Sequence, residues 1–309
     1  MKVATQTLLL FLLVAGPAAA QDPQPYQVSV NVDLVVLNAT VRDQKGRVAP
    51  DLREQDFEVF EDGVRQSIRL FRHEDIPVTV GLVIDHSGSM RPKLASVITA
   101  ARTFIQSSSP EDQMFVVNFN ENVTLGLPTE IPFTNLPDDL SYAISHTPAT
   151  GKTALYDAIW KAREWVAGGN RDKKVLIVIS DGGDNASTHT LKEVLQAGNK
   201  SNIQVFTIGI FDPEDPDKNP AVLRQLALST GGEAFVPDEL GEVVAVCESI
   251  ARDIRSQYTL GYLSSAVTPA GGYHSIKVLA RGTGKAKLSV RTRSGYSNGG
   301  ASGQHGGER

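Results

Sequence analysis

The sequence has too few cysteines for disulfide bonds to stabilise it. Cys247 is the only cysteine among 309 residues, so the chain cannot form an internal disulfide. Cys247 falls on an apolar helical stripe, which predicts a buried and unreactive thiol. Basic residues form no cluster, and the formal net charge is −5. This charge argues against nucleic acid or an anionic membrane as the partner. The core and any bound metal must therefore stabilise the fold.

The sequence also lacks a hydrophobic run of the roughly 20 residues needed to span a bilayer. Its N-terminal stretch combines Lys2, an apolar run at residues 8–15 and the small residues 18–20, the layout of a secretory signal peptide. A membrane anchor is the alternative, but the apolar run is too short for it. We predict a signal peptide at residues 1–20, cleaved after Ala20. The mature chain is then secreted or periplasmic, without membrane insertion.

Strand and helix patterns alternate between residues 77 and 257. Four apolar runs are rich in valine and isoleucine, which suits strands covered on both faces; they are residues 78–84, 114–119, 175–179 and 205–210. Apolar residues at helical spacing occur between them, at 94–105 and 155–166. This order predicts an α/β fold, Rossmann-like, with a doubly wound and mostly parallel sheet.

Both flanks of this region have strand patterns without helices. Residues 21–76 include an alternating segment at 28–34 and an Asp62-Gly63 pair typical of a tight hairpin. Residues 258–296 include three more short strand patterns. Because neither flank has enough strands for its own core, we predict that the N- and C-terminal flanks form one small all-β domain. Two independent extensions are the alternative. Residues 297–309 are rich in glycine and serine and predict a disordered tail.

Three polar loops adjoin these elements where ligands bind in open α/β sheets, at the carboxyl ends of strands. The first is a DxSxS pattern formed by Asp85, Ser87 and Ser89 directly after a strand. The second contains Thr153 and opens a helix, and the third contains Asp181 and follows another strand. Hydroxyl and carboxylate oxygens are the ligands that Mg²⁺ prefers. These five residues are therefore the candidate metal ligands.

The charge of the direct ligands decides what such an ion binds next. Ser87, Ser89 and Thr153 offer three neutral oxygens, while Asp85 and Asp181 either hold bound waters or ligate directly. If both carboxylates act through water, the direct protein ligands have no charge. The ion then attracts an anionic oxygen from outside the protein strongly.

Other polar residues are weaker candidates. Asp184 is predicted to cap its own loop, and His86, at a spacer position of the first loop, to face solvent. The remaining histidines show no metal-ligand spacing. Three short sequons, at Asn38, Asn122 and Asn185, fit glycosylation acceptors, but three-residue motifs are weak signals.

The three loops together resemble the metal-ion-dependent adhesion site (MIDAS) of the von Willebrand factor A (VWA) superfamily. The family's DxSxS matches Asp85, Ser87 and Ser89. Its threonine matches Thr153 in GKTALYDA, and its later aspartate matches Asp181 in SDGGD. The resemblance covers residues 78–255, and the flanking QDFEVFEDG and YTLGY are similar to secreted VWFA-related proteins of acidobacterial type.

The resemblance implies a VWA domain at residues 77–257 that binds Mg²⁺, or another divalent cation such as Mn²⁺ or Ca²⁺. It also implies a protein partner that presents an Asp or Glu to the ion. Rim residues Arg91, Lys152 and His189 are candidates for choosing that partner. Two alternatives remain, a structural or assembly protein stabilised by the ion and a metal-dependent hydrolase. The loops offer hydroxyls where phosphoryl-transfer sites use several carboxylates, and GxSxG is missing, so we expect no catalysis.

Overall fold

The computed structural model describes residues 34–212, 216–265, 272–282 and 288–297. The predicted signal peptide, nearly all of the alternating segment at 28–34 and all but the first residue of the predicted tail lie outside the described residues. No helix in these described ranges is long and apolar enough to span a membrane.

The described elements alternate as the sequence predicts in the middle of the chain, and both flanks are built of strands, with one 3-10 turn at Glu54–Asp56. The strands are β1 (Leu34–Arg42), β2 (Phe57–Glu61), β3 (Val64–Gln66), β4 (Ile68–Arg72), β5 (Val78–Asp85), β6 (Gln113–Phe119), β7 (Val123–Leu125), β8 (Lys173–Ser180), β9 (Ile203–Gly209), β10 (Ala234–Phe235), β11 (Tyr258–Leu263), β12 (Tyr273–Ala280), β13 (Ser289–Arg291) and β14 (Gly295–Ser297). The helices are α1 (Leu94–Gln106), α2 (Pro137–Ser145), α3 (Leu155–Ala167), α4 (Leu191–Asn199), α5 (Pro220–Ser229) and α6 (Val243–Arg255).

A six-stranded sheet in the order β10-β9-β8-β5-β6-β7 forms the centre of the α/β part. Its strands are parallel except for the edge pair β6 and β7. Strand β5 is buried along its whole length, which requires covering helices on both faces. The predicted doubly wound, mostly parallel sheet is therefore confirmed, and all four predicted strands belong to it.

The flanking strands form a β-domain of two antiparallel four-stranded sheets, ordered β13-β1-β11-β4 and β14-β12-β2-β3. In the first sheet β1 pairs with β11, and in the second β2 pairs with β12. Each sheet thus combines strands from before and after the α/β part. The prediction of one β-domain is confirmed, and the alternative of two independent extensions is wrong.

The predicted hairpin and the predicted buried thiol are both present. Asp62 and Gly63 join β2 to β3 with positive φ angles of 49° and 81°, as a tight hairpin turn requires. Cys247 lies on the buried side of α6, and burial raises the pKa of its thiol to about 12. The thiol is therefore un-ionised and inert at neutral pH.

Candidate metal centre

The first and third loops meet because their strands are neighbours. β5 pairs in parallel with β8, with Ile84 opposite Ile179, so both strands end at the same edge of the sheet. Asp85 is the last residue of β5, and Asp181 directly follows β8. The two carboxylates are nearly inaccessible, with 0% and 2% exposure. The fold therefore buries two acidic side chains side by side.

Hydrogen bonds connect four of the five candidate ligands. Asp85 Oδ1 accepts the backbone N–H of Ser87 at 2.8 Å. The hydroxyl oxygens of Ser87 and Ser89 lie 3.2 Å apart. Ser89 Oγ donates to Asp181 Oδ2 at 2.6 Å. The two serines of the DxSxS pattern therefore bridge the two aspartates.

Backbone bonds bring the second loop to the first. Gly88 N–H donates to Gly151 O at 3.1 Å, and Thr150 N–H donates to His86 O at 2.8 Å. Thr153 is 6% exposed, and its hydroxyl has no hydrogen-bond partner within the described part of the chain. A hydroxyl without a protein partner, on a nearly buried residue, is an oxygen available to a cation.

The two buried carboxylates repel each other, and few basic side chains in the described ranges lie close enough to offset their negative charge. Burial, with a smaller contribution from the charge of Asp181, raises the pKa of the Asp85 carboxyl to about 6, against hydrogen bonds from Ser180 and Ser87. No basic side chain of the described residues forms an ion pair with Asp85. Lys93 Nζ lies 4.0 Å from Asp181 Oδ2 and donates to Ile210 O at 3.0 Å. A divalent cation would offset this negative charge.

The donor set fits a hard cation. Across the described ranges, no three His, Cys, Asp or Glu side chains are placed together to hold a metal ion. The hydrogen-bonded group of Asp85, Ser87, Ser89 and Asp181 instead offers two hydroxyls and two carboxylates, which are oxygen ligands of the kind that Mg²⁺ and Ca²⁺ prefer. Sulfur and imidazole ligands, which favour zinc and copper, take no part.

Three supporting residues were missed by the sequence analysis. Ser180 Oγ donates to Asp85 Oδ2 at 2.6 Å and accepts Gly182 N–H at 3.0 Å. Glu121 Oε2 accepts Lys152 N–H at 2.7 Å and lies against Gly151. Gly151 has φ +80°, and a Cβ there would overlap the Glu121 carboxylate. The serine before the aspartate of the third loop was a visible signal, but the contribution of Glu121 depends on the fold.

One prediction about the loops is confirmed and one is wrong. Asp184 Oδ2 accepts Tyr156 N–H at 2.9 Å and Ser187 Oγ at 2.6 Å, so it caps its loop and the first turn of α3. His86 is 0% exposed, whereas the sequence predicted a solvent-facing side chain. Its ring lies beside Asn118 Oδ1, 3.0 Å from Nε2, and burial lowers the pKa of the imidazole. The spacer residue of the first loop points into the protein.

The three rim residues differ in how firmly they are held. Arg91 is exposed, with Nε donating to Ala149 O at 3.1 Å, and Lys152 is exposed. His189 stacks on Trp160 with ring centroids 4.3 Å apart. Its Nδ1 lies 2.6 Å from Asp157 Oδ1. His189 is therefore fixed to α3, while the two basic side chains reach into solvent.

These features define an α/β domain whose sheet edge gathers hydroxyls and carboxylates around one point. The model of the von Willebrand factor type A domain matches residues 79–246, more than half of the chain. The chain belongs to this family. VWA domains typically mediate protein–protein interactions, often hold a divalent cation and are generally non-catalytic.

Solved structures agree with this fold. The von Willebrand factor type A protein from Catenulispora acidiphila matches with a TM-score of 0.52 and 15% identity, over 86% of this chain and 75% of that chain. Proximal thread matrix protein 1 from the mussel byssus matches with a TM-score of 0.51 and 17% identity, over 63% of this chain and 51% of that chain. At these identities the likeness shows the fold alone. No curated protein matches the sequence.

Proposed function

We propose that this protein is an exported, non-catalytic binding protein whose VWA domain docks a partner's carboxylate on a bound divalent cation. The ion is Mg²⁺, or another divalent cation such as Mn²⁺ or Ca²⁺. Its ligands, direct or through water, are Asp85, Ser87, Ser89, Thr153 and Asp181. The observation that carries the proposal is the pair of buried aspartates bridged by Ser87 and Ser89, through the Ser87 backbone N–H and the two serine hydroxyls, with no ion pair to Asp85 among the described residues.

The charge distribution favours a cation as the first occupant. Two carboxylates at one edge of a low-dielectric core are unfavourable when both are ionised. Asp85 already shows this cost, because burial raises the pKa of its carboxyl to about 6. A divalent ion would stabilise the ionised form of both groups. Binding the ion and stabilising the loops are therefore expected to occur together.

The neutral ligands favour a carboxylate as the second occupant. Mg²⁺ takes six oxygens, and the serine and threonine hydroxyls bring no charge to it. Both Asp85 oxygens and both Asp181 oxygens already accept hydrogen bonds from the loops. Gly88 and Gly151, at the tips of the first two loops, are exposed. A partner's Asp or Glu can therefore approach the ion from solvent.

The proposal includes where the protein acts and how the chain is divided. Residues 1–20 are a signal peptide, so the mature protein is secreted or periplasmic. Residues 77–257 form the VWA domain, flanked by strands at 21–76 and 258–296 and followed by a tail at 297–309. The flanking motifs QDFEVFEDG and YTLGY support a resemblance to secreted VWFA-related proteins of acidobacterial type.

Manganese substitution tests the docking step without a known partner. Mn²⁺ bound to the full chain relaxes solvent protons through its coordinated waters. Acetate should displace one water and lower this relaxation, whereas acetamide, of the same shape but neutral, should not. The Ser87→Ala variant should bind Mn²⁺ more weakly, while Ser145→Ala, an exposed serine on α2, should behave as wild type.

The outcomes separate the possible functions. A bound ion whose waters acetate cannot displace would show that the ion is structural only. Absence of Mn²⁺ binding by the wild-type chain, or binding that Ser87→Ala does not weaken, would refute the metal centre itself. A pull-down from the exported fraction with Mg²⁺ or with chelator then identifies the partner, whose key Asp or Glu should be essential.

A further inference from the structure

Asn185, on the third loop, forms hydrogen bonds with the backbone of Thr153. Thr153 N–H donates to Asn185 Oδ1 at 2.9 Å. In return, Thr153 O accepts the N–H of Asn185 at 2.9 Å and the N–H of Ala186 at 3.0 Å. Asn185 therefore bonds both the amide and the carbonyl of Thr153. No other side chain of the described residues bonds the Thr153 backbone.

Other bonds from the third loop hold the start of α3 and do not involve Thr153. Asp184 caps Tyr156 N–H, and Ser187 Oγ accepts Asp157 N–H at 3.1 Å. Both of these bonds end on the first turn of α3. Asn185 also links the site to the loop before α5, because its Nδ2 donates to Asp217 Oδ2 at 3.3 Å. The Asn185 side chain, on the third loop, thus connects the second loop to the loop before α5.

We propose that Asn185 is a positioning residue for the cation, acting through Thr153. Its Oδ1 fixes the Thr153 backbone, and with it the direction of the Thr153 hydroxyl towards the ion. The inference rests on the proposed function, because it takes Thr153 as a ligand. It also explains the Asn185-Ala-Ser187 sequon without a glycan, since both polar side chains of that sequon bond the protein.

The expected effect follows from the burial of Thr153. Removing the Asn185 side chain leaves a nearly buried N–H without its acceptor, so the loop must shift to satisfy it. Loss of a residue that orients a metal ligand costs about 10- to 100-fold in metal affinity. We therefore expect Asn185→Ala to weaken Mg²⁺ binding about tenfold.

A double-mutant cycle on the full chain tests the route of this effect. Mg²⁺ is titrated calorimetrically into wild type, Asn185→Ala, Thr153→Ala and the double variant. If Asn185 acts through Thr153, the Thr153→Ala change should cost much less affinity in the Asn185→Ala background than in wild type. Asn135→Ala is the matched control, because the Asn135 Nδ2 bonds Pro110 O outside the metal loops.

Asn185→Asp combined with Asp217→Asn provides a second background, in which the acceptor oxygen for Thr153 N–H is kept and the amide and carboxylate of the 185–217 bond are exchanged. There Thr153→Ala should cost as much as in wild type, and the exchange leaves the net charge unchanged. Melting of the metal-free variants checks that they fold. A general loosening of the loops would instead make the two losses additive.

Three results would be decisive. Additive losses, or an Asn185→Ala variant with wild-type affinity, would overturn the positioning role and leave the metal centre standing. A wild-type chain that binds none of Mg²⁺, Mn²⁺ and Ca²⁺, or a Thr153→Ala variant with unchanged affinity, would overturn the proposed function and this inference with it. We expect Thr153→Ala to cost its full loss of affinity in wild type and in the background that keeps the acceptor oxygen, and much less in Asn185→Ala.

Discussion

The central sheet has buried aspartates at its carboxyl end, and another is buried beside the β-domain. At the carboxyl end, Asp85 and Asp181 accept hydrogen bonds from hydroxyls and backbone N–H groups. Beside the β-domain, Asp253 on α6 accepts two bonds of 2.6 Å from Arg42 and one of 3.2 Å from Arg291. Burial is similar in all three, at 0%, 2% and 2% exposure. The partners alone distinguish them.

This difference separates a carboxylate that stabilises the fold from carboxylates that are available to a cation. Asp253 is neutralised by the protein's own guanidinium groups, so it joins α6 to β1 and β13 and needs nothing from outside. Among the described residues, Asp85 has only hydroxyl and backbone N–H partners, which leave its negative charge in place, and Asp181 adds to such partners only the Lys93 Nζ at 4.0 Å. Asp253 therefore stabilises the fold through its arginine partners, whereas Asp85 and Asp181 are the carboxylates proposed to bind the cation.

The largest expected effect is at Asp253. Asp253→Asn leaves two partly buried guanidinium groups without their counter-ion, and we expect a loss of about 3 kcal/mol in the free energy of unfolding. Denaturant unfolding should give the same loss in Mg²⁺ and in chelator. Asp51→Asn, at an exposed position, should change stability little. A loss that appeared only in Mg²⁺ would erase the contrast between the two regions.

The next effect is at Asp181, where the loss of stability should depend on Mg²⁺, unlike the loss at Asp253. In chelator, Asp181→Asn keeps an oxygen for Gly183 N–H and can donate its amide N–H to Ser89 Oγ, so it should change the free energy of unfolding by less than about 1 kcal/mol. In Mg²⁺ at 100 times its Kd, wild type should gain about 2.7 kcal/mol and the variant far less. Thermal unfolding with and without Mg²⁺ measures both quantities. Equal stabilisation of both chains would contradict a metal role for Asp181.

The smallest effect concerns a buried base at the amino end of the sheet. Burial lowers the pKa of the Lys173 ammonium to about 7, against the charges of Asp75 and Asp112. The folded chain therefore favours the neutral amine, and above pH 7 the unfolded chain binds more protons. Stability should rise by about 1 kcal/mol between pH 7 and pH 8.

Lys173→Met should flatten that rise, with or without Mg²⁺, because this end of the sheet is not a cation site. Lys277→Met, at an exposed position on β12, is the control. Denaturant unfolding across this pH range measures the slope. A slope that persists in Lys173→Met would assign the titration to another group.

The sequence predicted the α/β part well because its signals are local. Buried parallel strands such as β5 and β8 are continuous apolar runs, and the loop residues follow them directly. The edge strands β7 and β10 are two or three residues long, too short for a periodic pattern. The joint β-domain was predictable only from the shortage of strands in each flank, and its register depends on tertiary pairing.

The same distinction applies to the site. The DxSxS spacing and Asp181 are adjacent to their strands, so the sequence indicates which loops meet. His86 was placed wrongly because the spacer's direction is set by packing against β6 and α2, where Asn118 lies. Glu121 and Asn185 contribute through bonds to residues about 30 positions away in the chain, which no local pattern shows.

The central claim is that hydroxyl oxygens bring the cation to the carboxyl edge of the sheet. Crystals of the full mature chain grown in Mn²⁺ test it directly, because the anomalous scattering of manganese locates the ion. We expect one peak at coordination distance, about 2 Å, from the hydroxyl oxygens of Ser87, Ser89 and Thr153. The site should have at least one position open to solvent or to an external carboxylate. No peak at this edge, or an ion held without those hydroxyls, would contradict the account.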